Sequence, residues 1–124
     1  MPARIVMAHD DEAFVIAATD ALRHAGYSIA AFTDSMLALE ALLGAHSVEL
    51  LITRMDFVAG KPNGLALARM GRAKRNGLKV VFTALPGFAI HAEGLGVFLP
   101  LPVEVTELTA TVIRLLSDEG ATPQ

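Results

Sequence analysis

The stretch Val48-Glu49-Leu50-Leu51-Ile52-Thr53-Arg54-Met55-Asp56-Phe57 decides how this chain folds. Its first half is apolar and β-branched, too short for a lone helix and too apolar for a strand with one wet face. We therefore predict a strand that is buried on both faces of a parallel sheet. Charge appears where this strand should finish. Because ligands of open α/β sheets bind beyond the carboxyl ends of the strands, Arg54 stands where a functional residue is expected.

Strand and helix patterns alternate along the rest of the chain. The predicted strands are 5–8, 28–32, 48–52, 79–83 and 97–99, and the predicted helices are 12–25, 35–43, 64–75 and 105–116. The segment 85–96 is interrupted by glycines and a proline, which predicts a short or irregular fourth helix. Alternating units of this kind predict an α/β fold with a doubly wound five-stranded parallel sheet, and the strand order 2-1-3-4-5 fits this length.

Length and composition limit the possible functions. The chain has 124 residues, which we interpret as a single domain over residues 1–118 followed by a polar tail at 119–124. The net charge of −3 argues against a nucleic-acid partner, because nucleic acid selects basic surfaces. No apolar run is long enough to span a bilayer, and acidic residues near the N-terminus argue against a signal peptide.

Cysteine is absent from the sequence. This excludes disulfides, thiol chemistry and cysteine-based zinc sites, and it fits a cytoplasmic protein. The second predicted helix is unusually apolar, with Glu40 as its single charge among Met36, Leu37 and further leucines. We expect this helix to be mostly buried, and the alternative is that it forms a partner surface.

Short motifs in a fixed order carry a resemblance to a known family. The motifs are Ile5-Val6-Met7-Ala8-His9-Asp10-Asp11, Ala25-Gly26-Tyr27, Glu49-Leu50-Leu51-Ile52-Thr53-Arg54-Met55, Asn63-Gly64-Leu65, Val80-Val81-Phe82-Thr83-Ala84 and Phe98-Leu99-Pro100-Leu101-Pro102. Together they cover nearly the whole chain. The sequence resembles the CheY-like receiver domain of bacterial two-component response regulators, which implies a flavodoxin-like fold and a role in signal transduction.

The resemblance places unusual residues at the positions that carry the chemistry of this family. An acid pair after the first strand holds Mg²⁺ there, and His9 and Asp10 occupy those two positions. An aspartate that ends the third strand accepts the phosphoryl group, and Arg54 occupies its position. A lysine precedes a proline after the fifth strand, and Leu101 replaces it. A frame shifted by one residue would make Asp10 and Asp11 the acid pair.

Other positions keep the pattern of the family. Thr83 keeps the hydroxyl that ends the fourth strand, and Pro102 keeps the proline that usually follows a cis bond. Phe98 takes the aromatic switch position without a hydroxyl. The segment between Thr83 and Leu101 is a few residues shorter than usual, and the loop after Arg54 is about two residues longer.

The substitutions oppose phosphoryl transfer. A receiver needs a carboxylate nucleophile, and the guanidinium of Arg54 stays protonated at any accessible pH. Mg²⁺ is a hard cation that prefers carboxylate ligands, and Leu101 offers no cation to a phosphoryl group. We therefore expect a pseudo-receiver without enzymatic activity, cofactor or metal. Arg54 is expected to fork onto Asp10, with Asp11 or Asp56 as alternatives.

Three hypotheses for the function follow. The first is a stand-alone module that binds a sensor kinase or a downstream regulator independently of phosphorylation, through the second helix or as a homodimer through the first and last helices. The second is phosphorylation at a displaced acid, namely Asp10, Asp11 or Asp56. The third is binding of a small anion at Arg54, with residues 57–62 as a lid.

Overall fold

The computed structural model describes residues 4–44, 48–57 and 59–120, with side chains as far as Ser117. The strands are β1 (Ile5–Ala8), β2 (Ile29–Phe32), β3 (Leu50–Arg54), β4 (Lys79–Ala84) and β5 (Val97–Pro100). The helices are α1 (Glu12–His24), α2 (Ser35–Gly44), α3 (Gly64–Lys74), α4 (Ala89–Ala92) and α5 (Val105–Gly120), and a 3-10 turn, Pro86–Phe88, precedes α4.

The five strands form one parallel sheet in the order β2-β1-β3-β4-β5. This confirms the predicted fold class and strand order. The fourth helix is a single turn of four residues, as the glycines and proline of that segment predicted.

Alternate side chains of the strands feed two separate cores, because successive residues of a strand point to opposite faces. One core joins Val6, Leu51 and Phe82 to residues of α2, α3 and α4. The other joins Met7 and Ile52 to residues of α1 and α5. Helices therefore cover both faces of the sheet, which leaves the carboxyl ends of its strands as the expected place for a ligand.

The strand ends differ from the prediction by a few residues. β3 begins at Leu50 and still includes Arg54, because Arg54 pairs with Thr83 and the Met55 N–H donates to the Thr83 carbonyl at 3.0 Å. β5 extends to Pro100 because Pro100 pairs with Ala84. Inter-strand pairing, which the local sequence does not report, therefore shifts β3 by two residues towards the C-terminus and extends β5 by one residue.

Helix ends also shift, by one residue in α1, α2 and α3 and by four residues in α5. α1 stops at His24 instead of residue 25, and Gly26 with a φ of 100° turns the chain towards β2. α5 continues to Gly120, so residues 119 and 120 of the predicted tail belong to the helix. Residues 121–124 of the predicted tail lie outside the described residues.

Helix α2 is less buried than expected. Ser35, Ala38 and Leu42 are buried, whereas Met36 and Leu37 have 41% and 50% of their surface exposed. One side of the helix packs against the core and another faces solvent. The prediction of a mostly buried helix is therefore wrong, since apolar composition alone does not distinguish a core helix from a helix with an apolar outer face.

Candidate functional site

The guanidinium of Arg54 holds two carboxylates at the carboxyl edge of the sheet. Its Nη1 donates to Oδ1 of Asp10 and its Nε donates to Oδ1 of Asp56, both at 3.2 Å. The predicted Asp10 contact is therefore confirmed, but the guanidinium divides its donors between two carboxylates instead of gripping Asp10 with both. Arg54 reaches Asp10 because β1 lies next to β3, and it reaches Asp56 because that residue follows two positions later.

This ion cluster is wet at its rim. The side chain of Arg54 is 23% exposed, while those of Asp10 and Asp56 are 43% and 51% exposed. Water screens charges at such exposure, so the cluster orients the side chains more than it stabilises the fold. The cluster has one positive and two negative charges, which makes it unattractive to a further anion.

His9 is buried beneath this cluster and adds no negative charge to it. Its side chain is 2% exposed, and its ring lies 4.6 Å from that of Phe14, centroid to centroid. Nδ1 accepts a hydrogen bond from the Asp11 N–H at 3.2 Å, so the neutral ring carries its proton on Nε2. Burial, and next the charge of Arg54, lower the pKa of His9 below its ordinary value of 6.5. His9 is therefore a neutral, structural imidazole near neutral pH.

Asp11 serves helix α1 instead of Arg54. Its side chain accepts from the Phe14 N–H at 3.2 Å, as an N-cap residue does, and Asp11 itself is exposed. Among the described ion pairs of Arg54, none involves Asp11. The alternative partner Asp11 is thus excluded in this structure, and the alternative partner Asp56 is present together with Asp10.

Two threonines lie behind Arg54. Thr83 is fully buried, and its hydroxyl has no hydrogen-bond partner within the described part of the chain. Thr53 is also buried, and its hydroxyl donates to the Arg54 carbonyl at 2.8 Å. Thr83 is therefore the last residue but one of β4 instead of its end, and it is covered, so its hydroxyl does not reach the solvent-facing side of the site.

Phe98 lies apart from the ion cluster. It is partly buried and packs against the core that contains Phe82 and Ala84. The strand register explains this, because Phe98 pairs with Phe82 and points to the α2–α3–α4 face of the sheet. Sequence spacing predicted Phe98 as a site residue, but it does not line the pocket next to Arg54.

A pocket of about 350 Å³ opens beside Arg54. Its polar wall contains His9, Asp11 and Arg54, and the remaining residues are Phe14, Leu85, Leu101, Pro102 and Val103. The Leu101–Pro102 bond is cis, as the resemblance implied. Where the family has a lysine, this chain therefore presents an apolar wall.

Sequence reasoning missed three pocket residues, Phe14, Leu85 and Val103. Phe14 lies in the first turn of α1, and its tilted ring contacts that of His9. Leu85 directly follows β4, and Val103 directly follows the cis proline. The only signal in the sequence was that both residues follow a predicted strand. Apolar side chains carry no reactive or charged group that would mark them as site residues.

The long loop after β3 is tied down near the same edge of the sheet. Lys61 Nζ lies 3.0 Å from Asp34 Oδ2, at the start of α2, and this hydrogen bond lowers the pKa of Asp34. Asn63 then caps α3 by accepting from the Ala66 N–H at 2.9 Å. Within the predicted lid 57–62, Lys61 makes this contact, and Val58 lies outside the described part.

The residues present do not fit the Mg²⁺ that the fold family uses. A divalent cation would need oxygen ligands from the acid position at Asp10 and from the strand end at residue 54. Here the strand end carries a guanidinium that already binds the Asp10 carboxylate. Among the described residues, no group of three histidine or acidic side chains is arranged to hold a metal ion.

In that same part of the chain, no helix has the length and apolarity required to cross a membrane.

Comparisons with known proteins place this architecture. No protein-family model matches the chain, and no curated protein matches it. A response-regulator receiver domain protein from Clostridium thermocellum shares the fold with a TM-score of 0.81 at 18% identity, over 95% of this chain and 97% of that one. A CheY-like receiver domain protein from Methanospirillum hungatei has a TM-score of 0.82 at 17% identity, over 97% and 98%.

A third similar structure is the receiver domain of the hybrid histidine kinase CckA. It has a TM-score of 0.74 at 26% identity and covers 91% of this chain and 98% of that one. The chain therefore has the fold of response-regulator receiver domains, as the resemblance implied. It spans nearly the full length of these domains.

Proposed function

We propose that this chain is a receiver-like signalling module that works without phosphorylation and acts by binding a protein partner. The observation that carries the proposal is the contact of Arg54 with Asp10 and Asp56 at 3.2 Å each. A guanidinium at the end of β3 supplies no nucleophile, and it takes up two of the nearby carboxylates that an acceptor site would need for a metal ion.

Two further features support the loss of phosphoryl transfer. Leu101 lines the pocket where the family has a lysine, so a phosphoryl group would meet an apolar wall instead of a cation. The Thr83 hydroxyl is buried and unpartnered within the described part of the chain, so it would need to move to bind a phosphoryl oxygen. Thr83 lies on β4 and Leu101 directly follows β5, and each opposes a separate part of the same reaction.

The contact between Arg54 and the carboxylates also offers a mechanism for signalling without phosphate. In this arrangement a permanent positive charge at residue 54 holds the carboxylates of the strand-end loops in one geometry. The module would then present one constant conformation to its partner, instead of switching between two. Such a protein would act by its abundance, by competition or by localising a partner.

The outer side of α2 is the surface that we assign to the protein partner. Met36 and Leu37 are exposed on this helix, and Met70 on the adjacent α3 is 44% exposed. Helices α2 and α3 are linked by a hydrogen bond from Arg75 Nη1 to the Leu42 carbonyl at 2.8 Å, which holds the two helices together. Large exposed apolar side chains on a folded domain are candidates for recognition by a sensor kinase or a downstream regulator.

The proposal is tested with a small phosphodonor. The chain is incubated with acetyl phosphate and Mg²⁺, and its intact mass is measured, with a receiver of known activity as the positive control. We expect no mass gain. A gain of one phosphoryl group that maps to Asp10, Asp11 or Asp56 would overturn the proposal and favour phosphorylation at a displaced acid.

A second experiment tests the partner surface. A partner is first captured from the source cell, and its affinity is then measured for the parent, for Leu37→Asp and for the control Ile90→Asp, whose side chain is 68% exposed on α4. We expect binding to be unchanged by the phosphodonor and lost only in Leu37→Asp. Equal loss in both variants would refute the assignment of α2.

A further inference from the structure

A second surface feature lies on the other side of the molecule from α2, on the face of the sheet that α1 and α5 cover. It is a groove of about 620 Å³ between α1 and α5. On α1 it is lined by Asp20, Ala21 and His24, and on α5 by Val105, Thr106, Thr109, Ala110 and Ile113. None of these residues lines the pocket beside Arg54, and the groove takes no part in the function proposed above.

The α5 wall of this groove is apolar in practice. The Thr109 hydroxyl donates to the Val105 carbonyl at 2.8 Å, so it has no need of water. Ile113 is 41% exposed, and on α1 the neighbouring Ile16 is 58% exposed. Ala110, at the centre of the exposed side of α5, is a small residue at which another helix can approach closely.

Two charged side chains flank Ala110 on the same side of α5. Glu107 lies three residues before it and Arg114 four residues after it, and both are exposed. Among the side chains that the structure describes, which extend to Ser117, neither forms an ion pair. A helix rises about 1.5 Å per residue, so the two charges lie at nearly equal distances from Ala110, about 4.5 Å and 6 Å along the axis.

We infer that a second copy of this chain occupies the groove, with α5 packed antiparallel against α5 of the partner subunit around a two-fold axis at Ala110. This two-fold axis reverses the direction of the partner's α5 and leaves corresponding residues on the same side of the interface. It therefore brings Glu107 of one protomer beside Arg114 of the partner subunit, and the reverse pair forms at the same time. The charge pattern on this face of α5 is therefore complementary to the same pattern on a second copy of the chain.

The same symmetry places apolar groups together. Ile113 of the partner subunit arrives at the level of Glu107 but on the groove side of α5, where Thr106 and Thr109 lie. The partner's Ile113 thus fills part of the cavity, while the ion pairs form the opposite rim. An apolar centre with a charged rim is the usual anatomy of a specific interface.

Sedimentation velocity of the full chain, from micromolar to millimolar concentration, tests the inference. The parent should show a monomer–dimer equilibrium. Glu107→Lys and Arg114→Glu should each weaken the dimer by about tenfold, because a pair of attractions becomes a pair of repulsions. The double variant Glu107→Lys/Arg114→Glu should return to within about threefold of the parent, because the swapped charges pair again.

Two more variants separate this face from others. Ala110→Arg places a large side chain on the two-fold axis and should give a monomer with an unchanged far-UV circular dichroism spectrum. Ile90→Lys, on exposed α4, should associate like the parent. The inference would be overturned by a parent that stays monomeric, by a double variant that fails to recover, or by an Ile90→Lys variant that associates as weakly as the single reversals. If the groove serves a different protein instead of a second copy, the parent stays monomeric.

Discussion

Gly64, the first residue of α3, lies directly against the backbone of Arg54. Its N–H donates to the Met55 carbonyl at 2.9 Å, and a Cβ at position 64 would overlap the carbonyl oxygen of Arg54. The start of α3 thus fixes the main chain at the point where the Arg54 side chain leaves the sheet. The position of the guanidinium therefore depends on a glycine ten residues away in the chain.

We expect Gly64→Ala to destabilise the protein by about 1–3 kcal/mol, since rigid backbone must shift to accept the methyl group. Urea unfolding followed by circular dichroism measures the change. Gly77→Ala is the matched control because a Cβ there meets nothing within 4 Å, and it should stay within about 0.5 kcal/mol of the parent. Equal stability of the two variants would show that the contact at Gly64 relaxes freely.

Arg54→Gln should lower the free energy of unfolding by only about 1 kcal/mol, because both carboxylates that it releases are partly exposed and can be hydrated. The measurement is a double-mutant cycle with Asp10→Asn in urea. The coupling energy should be small and should shrink in high salt. A loss of about 3–5 kcal/mol would instead mean that the cluster behaves as a buried ion pair.

Arg54→Asp alone should not create a working receiver. The change supplies a nucleophile, but Leu101 still offers no cation, and His9 remains an imidazole with its Nδ1 engaged by Asp11. We expect acetyl phosphate to label the single variant about a hundredfold more slowly than the triple variant Arg54→Asp/Leu101→Lys/His9→Asp. Equal rates would show that Leu101 and His9 are incidental.

The same Arg54→Asp variant should depend on Mg²⁺ for stability. Three carboxylates, at positions 10, 54 and 56, then repel one another without a cation between them. The melting temperature should fall below that of the parent in the presence of a chelator, and Mg²⁺ should restore part of the loss by binding only the folded state. The parent is the control, and its melting temperature should not respond to Mg²⁺.

His9 should make the stability of the protein depend on pH. Its pKa is lowered in the folded state and is near 6.5 in the unfolded state, so the unfolded chain binds more protons between these two values. Stability is therefore complete above pH 6.5 and falls as the pH drops below it, by at most about 1.4 kcal/mol per pH unit. Urea unfolding between about pH 5 and 8, where carboxylates stay ionised, measures the slope.

His9→Asn tests the origin of this slope. Asparagine offers an acceptor in place of Nδ1 and does not titrate, so the variant should lose the slope below pH 6.5. His91→Gln, on exposed α4, is the control and should keep the slope of the parent. A slope that survives in His9→Asn would assign the effect to another group.

The sequence by itself determined the fold and the order of the strands. Short apolar runs such as residues 5–8 and 48–52 alternate with helix patterns, and this periodicity depends only on local side-chain chemistry. It also determined that Arg54 ends the central strand near an acidic loop. The carboxyl ends of parallel strands lie at one edge of the sheet whatever their sequence. The proximity of residues at these strand ends therefore follows from the strand order.

Only the tertiary structure decided how the side chains divide their contacts. It gave Arg54 to both Asp10 and Asp56, assigned Asp11 to the cap of α1, buried His9 beside Phe14 and turned Phe98 away from the site. Each outcome depends on distances and strand register between segments far apart in the chain, to which local sequence patterns are blind. The exposure of Met36 and Leu37 also depends on the tertiary structure, because an apolar residue is buried only if another part of the chain packs over it.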